Sequence, residues 1–150
     1  MILYLNQSSG RTEVRKWASI IVLQNIGEDK PNELIVNSVV RATFAEALAR
    51  KTVFKDQASD IFLLGMFSLI DAFLDRPIAG ALSELPLTHE IKKALLGEDN
   101  TIRAFLDLIL AYEKADWVSF SVYALKLNIE ESEVPTLYLQ ALTAANQFTT

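Results

Sequence analysis

The chain has 150 residues, of which 51% are hydrophobic and 22% charged, and 14 basic against 19 acidic residues give a net charge of -5. This composition is typical of one folded globular domain and excludes a disordered segment. The excess of acidic residues argues against nucleic-acid binding, which needs a basic surface. The absence of cysteine excludes disulfides and thiolate metal sites and fits a reducing cytoplasm.

Apolar residues recur at helical spacing along almost the whole chain, and no segment alternates convincingly like a β-strand. Gly27 and Gly97 suit a left-handed residue after a helix. Thr88, Asp116 and Ser132 suit helix starts, because their side-chain oxygens can accept free backbone N–H groups. The sequence therefore predicts an all-α, single compact domain of about eight helices joined by short connections. The predicted helices span residues 12–26, 32–51, 57–75, 77–84, 88–96, 100–114, 116–128 and 132–148.

The third predicted helix is apolar on every side, yet it carries Ser68 and Asp71 near its middle. A helix of this kind normally lies at the centre of a helical domain, where an unpaired charge is very costly. We therefore predict that Asp71 is buried and pairs with Arg41 of the second helix, with Glu46 or Glu113 nearby. Breaking such a buried pair would destabilise the domain by about a few kcal/mol.

The same helix contains the longest apolar run, residues 61–70, about half of the roughly 20 residues that a membrane span requires. The first residues also lack the basic start and long apolar centre of a signal peptide. We therefore expect a cytoplasmic protein without membrane contacts. Gly65 in this run is interpreted as a site of close backbone packing. Trp17 and Trp117 lie in apolar stripes, which usually belong to a core.

Few residues could support catalysis. His89 is the only histidine, whereas a histidine-based metal site needs two or three ligands, and a serine nucleophile would have no other histidine base. Asp56 with Asp60, and Asp71 with Asp75, lie one helical turn apart and could hold a hard cation. Such acidic pairs are equally typical of a solvated helix edge. We therefore predict no catalytic, cofactor-binding or metal-binding residues, and no cofactor.

Six short segments follow one another along the chain: RKWAS (15–19), DKPNEL (29–34), VRATFAE (40–46), FLLGMFSLID (62–71), ELPL (84–87) and AYEKADW (111–117). In this order they resemble the HDOD domain of bacterial signalling proteins. The closest resemblance is to the subgroup that carries an EAL cyclic-di-GMP phosphodiesterase domain upstream, and it extends from Arg15 to Phe148.

This resemblance implies an all-helical fold related to HD phosphohydrolases but without their metal site, and a regulatory or protein-interaction role. Family domains usually begin with several more helices, so we interpret residues 1–150 as the C-terminal part of a longer HDOD-containing protein. The resemblance transfers no functional residues.

We expect a non-catalytic signalling module that docks a protein partner, the upstream EAL domain or a second copy of itself, in an apolar groove. Two alternatives are a metal-dependent phosphohydrolase that uses Asp60, Asp71 and Asp75, and a scaffold that only dimerises.

Overall fold

The computed structural model describes residues 10–74, 77–83, 85 and 87–149, and this part of the chain is helical without strands. The all-α prediction is therefore confirmed. Two 3-10 turns, Lys55–Gln57 and Glu131–Glu133, precede helices. The α-helices are α1 (Gly10–Ile26), α2 (Asn32–Arg50), α3 (Ala58–Met66), α4 (Ile70–Leu74), α5 (Ile78–Leu82), α6 (His89–Leu95), α7 (Arg103–Glu113), α8 (Trp117–Leu127) and α9 (Val134–Thr149).

The predicted third helix is divided into α3 and α4 by a turn at residues 67–69. Within this turn the Ser68 hydroxyl donates a hydrogen bond to the Gly65 carbonyl oxygen at 2.7 Å. A serine hydroxyl that bonds a nearby carbonyl competes with the helical backbone pattern, which favours an end to the helix at this point. The break changes the direction of every side chain that follows it.

Helices α2 and α3 form the centre of the domain. Helix α2 packs along α3 on one side and along α9 on another, while α7 and α8 form a helical hairpin. Gly65 makes the contact between α2 and α3 close, because a Cβ atom at this position would lie 2.5 Å from the Arg41 carbonyl oxygen. The interpretation of Gly65 as a packing glycine is confirmed.

The predicted helix ends are partly confirmed. Thr88 and Asp116 cap α6 and α8 by accepting backbone N–H groups, and Gly97 after α6 has a φ of +91°. Ser132 is not a cap, because it lies inside the 3-10 turn that precedes α9. Gly27 does not adopt a positive φ. Its small size instead accommodates the Phe73 ring, which would lie 2.6 Å from an added Cβ atom.

The segment Lys55–Leu74 is long and apolar enough to cross a bilayer by length and mean hydropathy alone. The expectation that no segment is long enough to span a membrane is therefore wrong by this criterion, because it considered only the uninterrupted apolar run of residues 61–70. In the structure, 56% of the apolar 18-residue stretch within this segment is buried inside the domain. The central helices of soluble domains have the same property, so this composition is weak support for a membrane span.

Candidate functional site

Asp71 does not occupy the predicted position. Its side chain is exposed at the second residue of α4, because the turn at residues 67–69 breaks the continuous helix on which the prediction depended. The Arg41 guanidinium binds Glu113, which confirms the expectation that this acid lies nearby, with Nε and Nη2 donating to the two carboxylate oxygens at 2.9 and 2.7 Å. Its Nη1 also donates to the Ser68 hydroxyl at 3.1 Å. Arg41 thus joins α2, the end of α7 and the turn after α3.

Glu46 belongs to a different ion pair, which the sequence analysis missed. Its carboxylate binds the Lys16 ammonium of α1, and the Lys16 side chain is only 2% exposed. The ammonium also lies 4.9 Å from the centre of the Phe62 ring, a cation–π contact. The signal in the sequence was the position of Lys16, which shares one helical stripe with Ile20 and Leu23. This buried pair fixes α1 against α2.

The carboxylates of the hydrolase alternative do not converge in the part of the chain that the structure describes. Asp60 pairs with Arg15 of α1 at 3.3 Å, and Asp56 is exposed in a 3-10 turn. Asp75 lies outside the described residues. His89 is exposed at the first residue of α6. Among the described residues, no three histidines or carboxylates come close enough to hold a metal ion.

Two pKa shifts belong to helix capping and aromatic packing. Hydrogen bonds from the side chain and backbone of Ser119 hold the pKa of Asp116 below its ordinary value. Burial raises the pKa of Tyr112, and the neighbouring Tyr138 adds to the rise. The Tyr112 ring lies in a cluster with Phe44 and Tyr138, at centroid distances of 5.6 and 5.2 Å. Neither shifted group lines the apolar cleft between α1 and α3.

An apolar cleft of about 180 Å³ lies between α1 and α3. We call it the α1 cleft. On α1 it continues into an exposed apolar face formed by Val14, Ile21 and Val22. Its lining is mostly apolar, and the charged exception is Arg15, which pairs with Asp60. The lining residues are Arg15, Ala18, Ser19, Val22, Leu63, Phe67, Leu85 and Leu87.

A second apolar surface lies on α8. Val118, Val122 and Leu125 are 80%, 57% and 82% exposed, whereas Phe120, Ala124 and Leu127 on the opposite side of the helix are buried. Trp117 is also more than half exposed, so the expectation that it belongs to the core is wrong, whereas Trp17 is buried as expected. The Trp117 ring makes edge-to-face contacts with Tyr112 and Phe120, at a centroid distance of 5.8 Å in each case.

The chain is similar to two curated bacterial proteins. It is 35% identical over 132 residues, 88% of this chain, to the cyclic di-GMP phosphodiesterase CdgJ of Vibrio cholerae. It is 37% identical over 136 residues, 89% of this chain, to the uncharacterized protein YuxH of Bacillus subtilis. The chain spans only about a third of the length of each of these relatives, 31% and 32%.

No family model matches the chain, and no solved structure does. The similarity therefore relates the chain to one third of a protein named as a cyclic di-GMP phosphodiesterase. The assignment to the HDOD family stays a prediction.

Proposed function

We propose that this chain is a non-catalytic, HDOD-type regulatory domain of a cyclic-di-GMP signalling protein. It acts by docking the EAL phosphodiesterase domain of the same longer protein in the α1 cleft. The observation that carries the proposal is the apolar face of α1, which stays exposed and leads directly into an apolar cleft. A contiguous exposed apolar surface of this kind is typical of a protein-interaction site.

The similarity to a protein named as a phosphodiesterase supports the choice of occupant. Because the match covers 31% of that protein, most of its length lies outside the region that resembles this chain, and we place the hydrolytic site in that remainder. A partner in the same polypeptide has a high effective concentration, so a small apolar cleft can suffice to hold it. The occupant we propose is therefore a covalently joined domain.

The ion pairs of the carboxylates also support a non-catalytic role. Asp60, Glu46 and Glu113 each already bind an arginine or a lysine. A carboxylate whose charge is compensated in this way is a poor ligand for a metal ion and a poor general base. Asp71 is exposed and lies outside these pairs, and a single carboxylate is too little for the two-carboxylate chemistry of the hydrolase alternative.

Arg15 gives the α1 cleft a polar contact for its partner. Its guanidinium lines the cleft and holds Asp60 at 3.3 Å, and both side chains are partly exposed. Exposed pairs of this kind contribute little to stability, so an acidic group of the docked domain could replace Asp60 at low cost. We expect docking to combine burial of the exposed apolar residues Val14, Ile21 and Val22 of α1 with one such charged contact.

The test uses the protein encoded by the complete reading frame. Val22→Glu places a charge in the α1 cleft, and Leu139→Glu is the matched control at an exposed apolar residue of α9. We expect Val22→Glu to change the rate of cyclic-di-GMP hydrolysis by about fivefold or more, the lower end of ordinary coupling between sites. Leu139→Glu should leave the rate unchanged, and both variants should keep the helical circular dichroism of the parent.

Two outcomes would overturn the proposal. One is a rate of hydrolysis that does not respond to Val22→Glu. The other is hydrolysis of cyclic di-GMP by the purified 150-residue chain with Mg²⁺ or Mn²⁺. Loss of that hydrolysis in Asp71→Asn would establish the phosphohydrolase alternative.

A further inference from the structure

The exposed apolar residues of α8 follow the spacing of a coiled-coil seam. Val118, Val122 and Leu125 are separated by four and three residues and are 80%, 57% and 82% exposed. This is the d–a–d spacing of a heptad, with Val122 at position a and Leu125 at position d. Such a stripe on a helix whose other side is already packed has the shape of a surface that receives a second helix.

The two flanks of this stripe carry opposite charges. Lys126, at position e, lies on one flank and shares an open cleft of about 600 Å³ with Lys51 and Lys55. Asp99 lies 3.5 Å from Lys126, so the three lysines leave this flank with a net positive charge. Ser121, at position g, lies on the other flank, where its hydroxyl donates a hydrogen bond to the Glu131 carboxylate at 2.9 Å. Position g therefore presents the negative charge of Glu131.

We propose that the partner of this surface is a second copy of the chain, with the two α8 helices side by side and parallel. In a parallel pair, residue g of one helix faces residue e of the next heptad on the other helix. Ser121 is g and Lys126 is that e residue, five positions later. The Glu131 carboxylate of each copy then meets Lys126 of the other. A β-branched residue at a and leucine at d also favour two strands.

The symmetry of the charges determines the direction of the helices. A two-fold axis parallel to α8 exchanges the flanks, so that the lysine side of one copy lies against the acidic side of the other. A two-fold axis perpendicular to α8 gives an antiparallel pair, in which each flank meets the same flank of the partner. That arrangement places like charges together, which costs free energy.

The contacts of Lys126 within one copy do not prevent this exchange. Its ammonium lies 3.5 Å from Asp99, and the two side chains are 50% and 87% exposed. An ion pair this exposed contributes little. Because α8 has only 11 residues, the interface falls at the small end of specific interfaces, and we expect a weak dimer that depends on concentration. It uses a different helix from the α1 cleft, so it can fail or hold independently of the proposed function.

Sedimentation velocity of the chain over a wide concentration range is the first test. The parent should shift from monomer to dimer as concentration rises, Val122→Glu should stay monomeric, and the control Leu139→Glu should dimerise like the parent. Lys126→Glu should raise the dissociation constant by about tenfold through loss of two symmetric pairs. The double variant Lys126→Glu/Glu131→Lys should restore it. A parent that is monomeric throughout, or a dimer unaffected by Val122→Glu, would overturn the proposal.

Single cysteines test the direction, because the chain has none of its own. In a parallel dimer, Val118→Cys and Leu125→Cys each place two sulfur atoms opposite one another, so both variants should oxidise to covalent dimers. In an antiparallel pair centred on Val122, the two copies of residue 118 would lie about 12 Å apart along the axis. This distance exceeds the limit of about 7 Å for a disulfide. Cross-linking only between residue 118 of one copy and residue 125 of the other, in a mixture of the two variants, would contradict the parallel arrangement.

Discussion

The buried pair of Lys16 and Glu46 allows a quantitative prediction about stability. Glu46→Leu removes the carboxylate and leaves the Lys16 ammonium, which is 2% exposed, without this partner. Removal of one partner of a buried pair typically costs about 3–5 kcal/mol. For a domain whose total stability is about 5–15 kcal/mol, this is a large fraction. At this chain length it corresponds to a fall in Tm of about 6–20 °C.

The matched variant is Lys16→Met/Glu46→Leu, which replaces both charges with apolar side chains of similar size. Replacement of a whole buried pair is often neutral or stabilising, so the double variant should be more stable than Glu46→Leu alone. Arg50→Ala is the control, because Arg50 lies 3.6 Å from the same carboxylate but is 61% exposed. It should cost less than about 1 kcal/mol.

Urea denaturation followed by circular dichroism at 222 nm measures all four proteins, and equal slopes would show that the unfolded states are comparable. A free energy of unfolding for Glu46→Leu within about 1 kcal/mol of the parent's would contradict a stabilising buried pair. So would a double variant as unstable as Glu46→Leu alone.

Three further predictions follow from the structure. Arg41→Ala should lower the free energy of unfolding in urea by about 2 kcal/mol. Arg41→Lys should recover only part of this loss, since lysine cannot bind a carboxylate through two nitrogens. Full recovery of stability in Arg41→Lys would show that the bidentate geometry is unimportant. Gly65→Ala should lower the free energy of unfolding by about 1–3 kcal/mol in the same assay, because the new Cβ atom would lie 2.5 Å from the α2 backbone. An unchanged urea midpoint would contradict the close packing of α2 and α3. The pKa of Asp116 is lowered from 3.8, so the stability that its carboxylate contributes is present above pH 3.8 and is lost as pH falls through the folded-state pKa. Asp116→Asn should flatten this pH dependence of unfolding in acid. A variant with the same pH profile as the parent would contradict the capping role of Asp116.

The pKa of Tyr112 is raised from 10.0, and this gives one prediction for alkaline pH. Because the folded state disfavours the ionised phenol, stability should be full below pH 10 and should fall as pH rises through the folded-state pKa. Tyr112→Phe should remove this part of the alkaline loss when unfolding is measured between pH 8 and 12. A normal ionisation curve for Tyr112 at 295 nm would contradict the burial argument.

Helices were predictable from the sequence because their apolar stripes depend on local spacing. The residues Ile102, Phe105, Leu106 and Ile109 share one face of a helix in the sequence, and all four are buried. Thr88 and Asp116 were likewise identifiable, since capping involves residues only three positions apart. Information of this kind lies within about two helical turns, and it sufficed for the fold class.

The partners of Arg41 and Glu46 depend on the packing of separate helices. The expectation that Glu113 lies near Arg41 is confirmed, the pairing of Arg41 with Asp71 is wrong, and the sequence pointed to no partner for Glu46. Apolar spacing predicts one helix over residues 57–75, and no proline marks the break at residues 67–69. Because of this break Asp71 lies at the surface, and Arg41 binds Glu113, a residue 72 positions away in the sequence. Trp117 at the start of α8 was expected in the core because it lies in an apolar stripe, yet it is more than half exposed. Periodicity shows that a helix has an apolar face but does not show whether another helix covers it.

The central claim is that the α1 cleft holds another domain of the same protein. The most direct measurement is the maleimide labelling rate of Val22→Cys, localised by mass spectrometry, in the 150-residue chain and in the protein of the complete reading frame. Leu139→Cys serves as the exposed reference in both proteins. We predict that Val22→Cys reacts much more slowly in the longer protein while Leu139→Cys reacts equally in the two. Equal labelling rates at Val22→Cys in both proteins would show that the cleft is empty and would contradict the docking account.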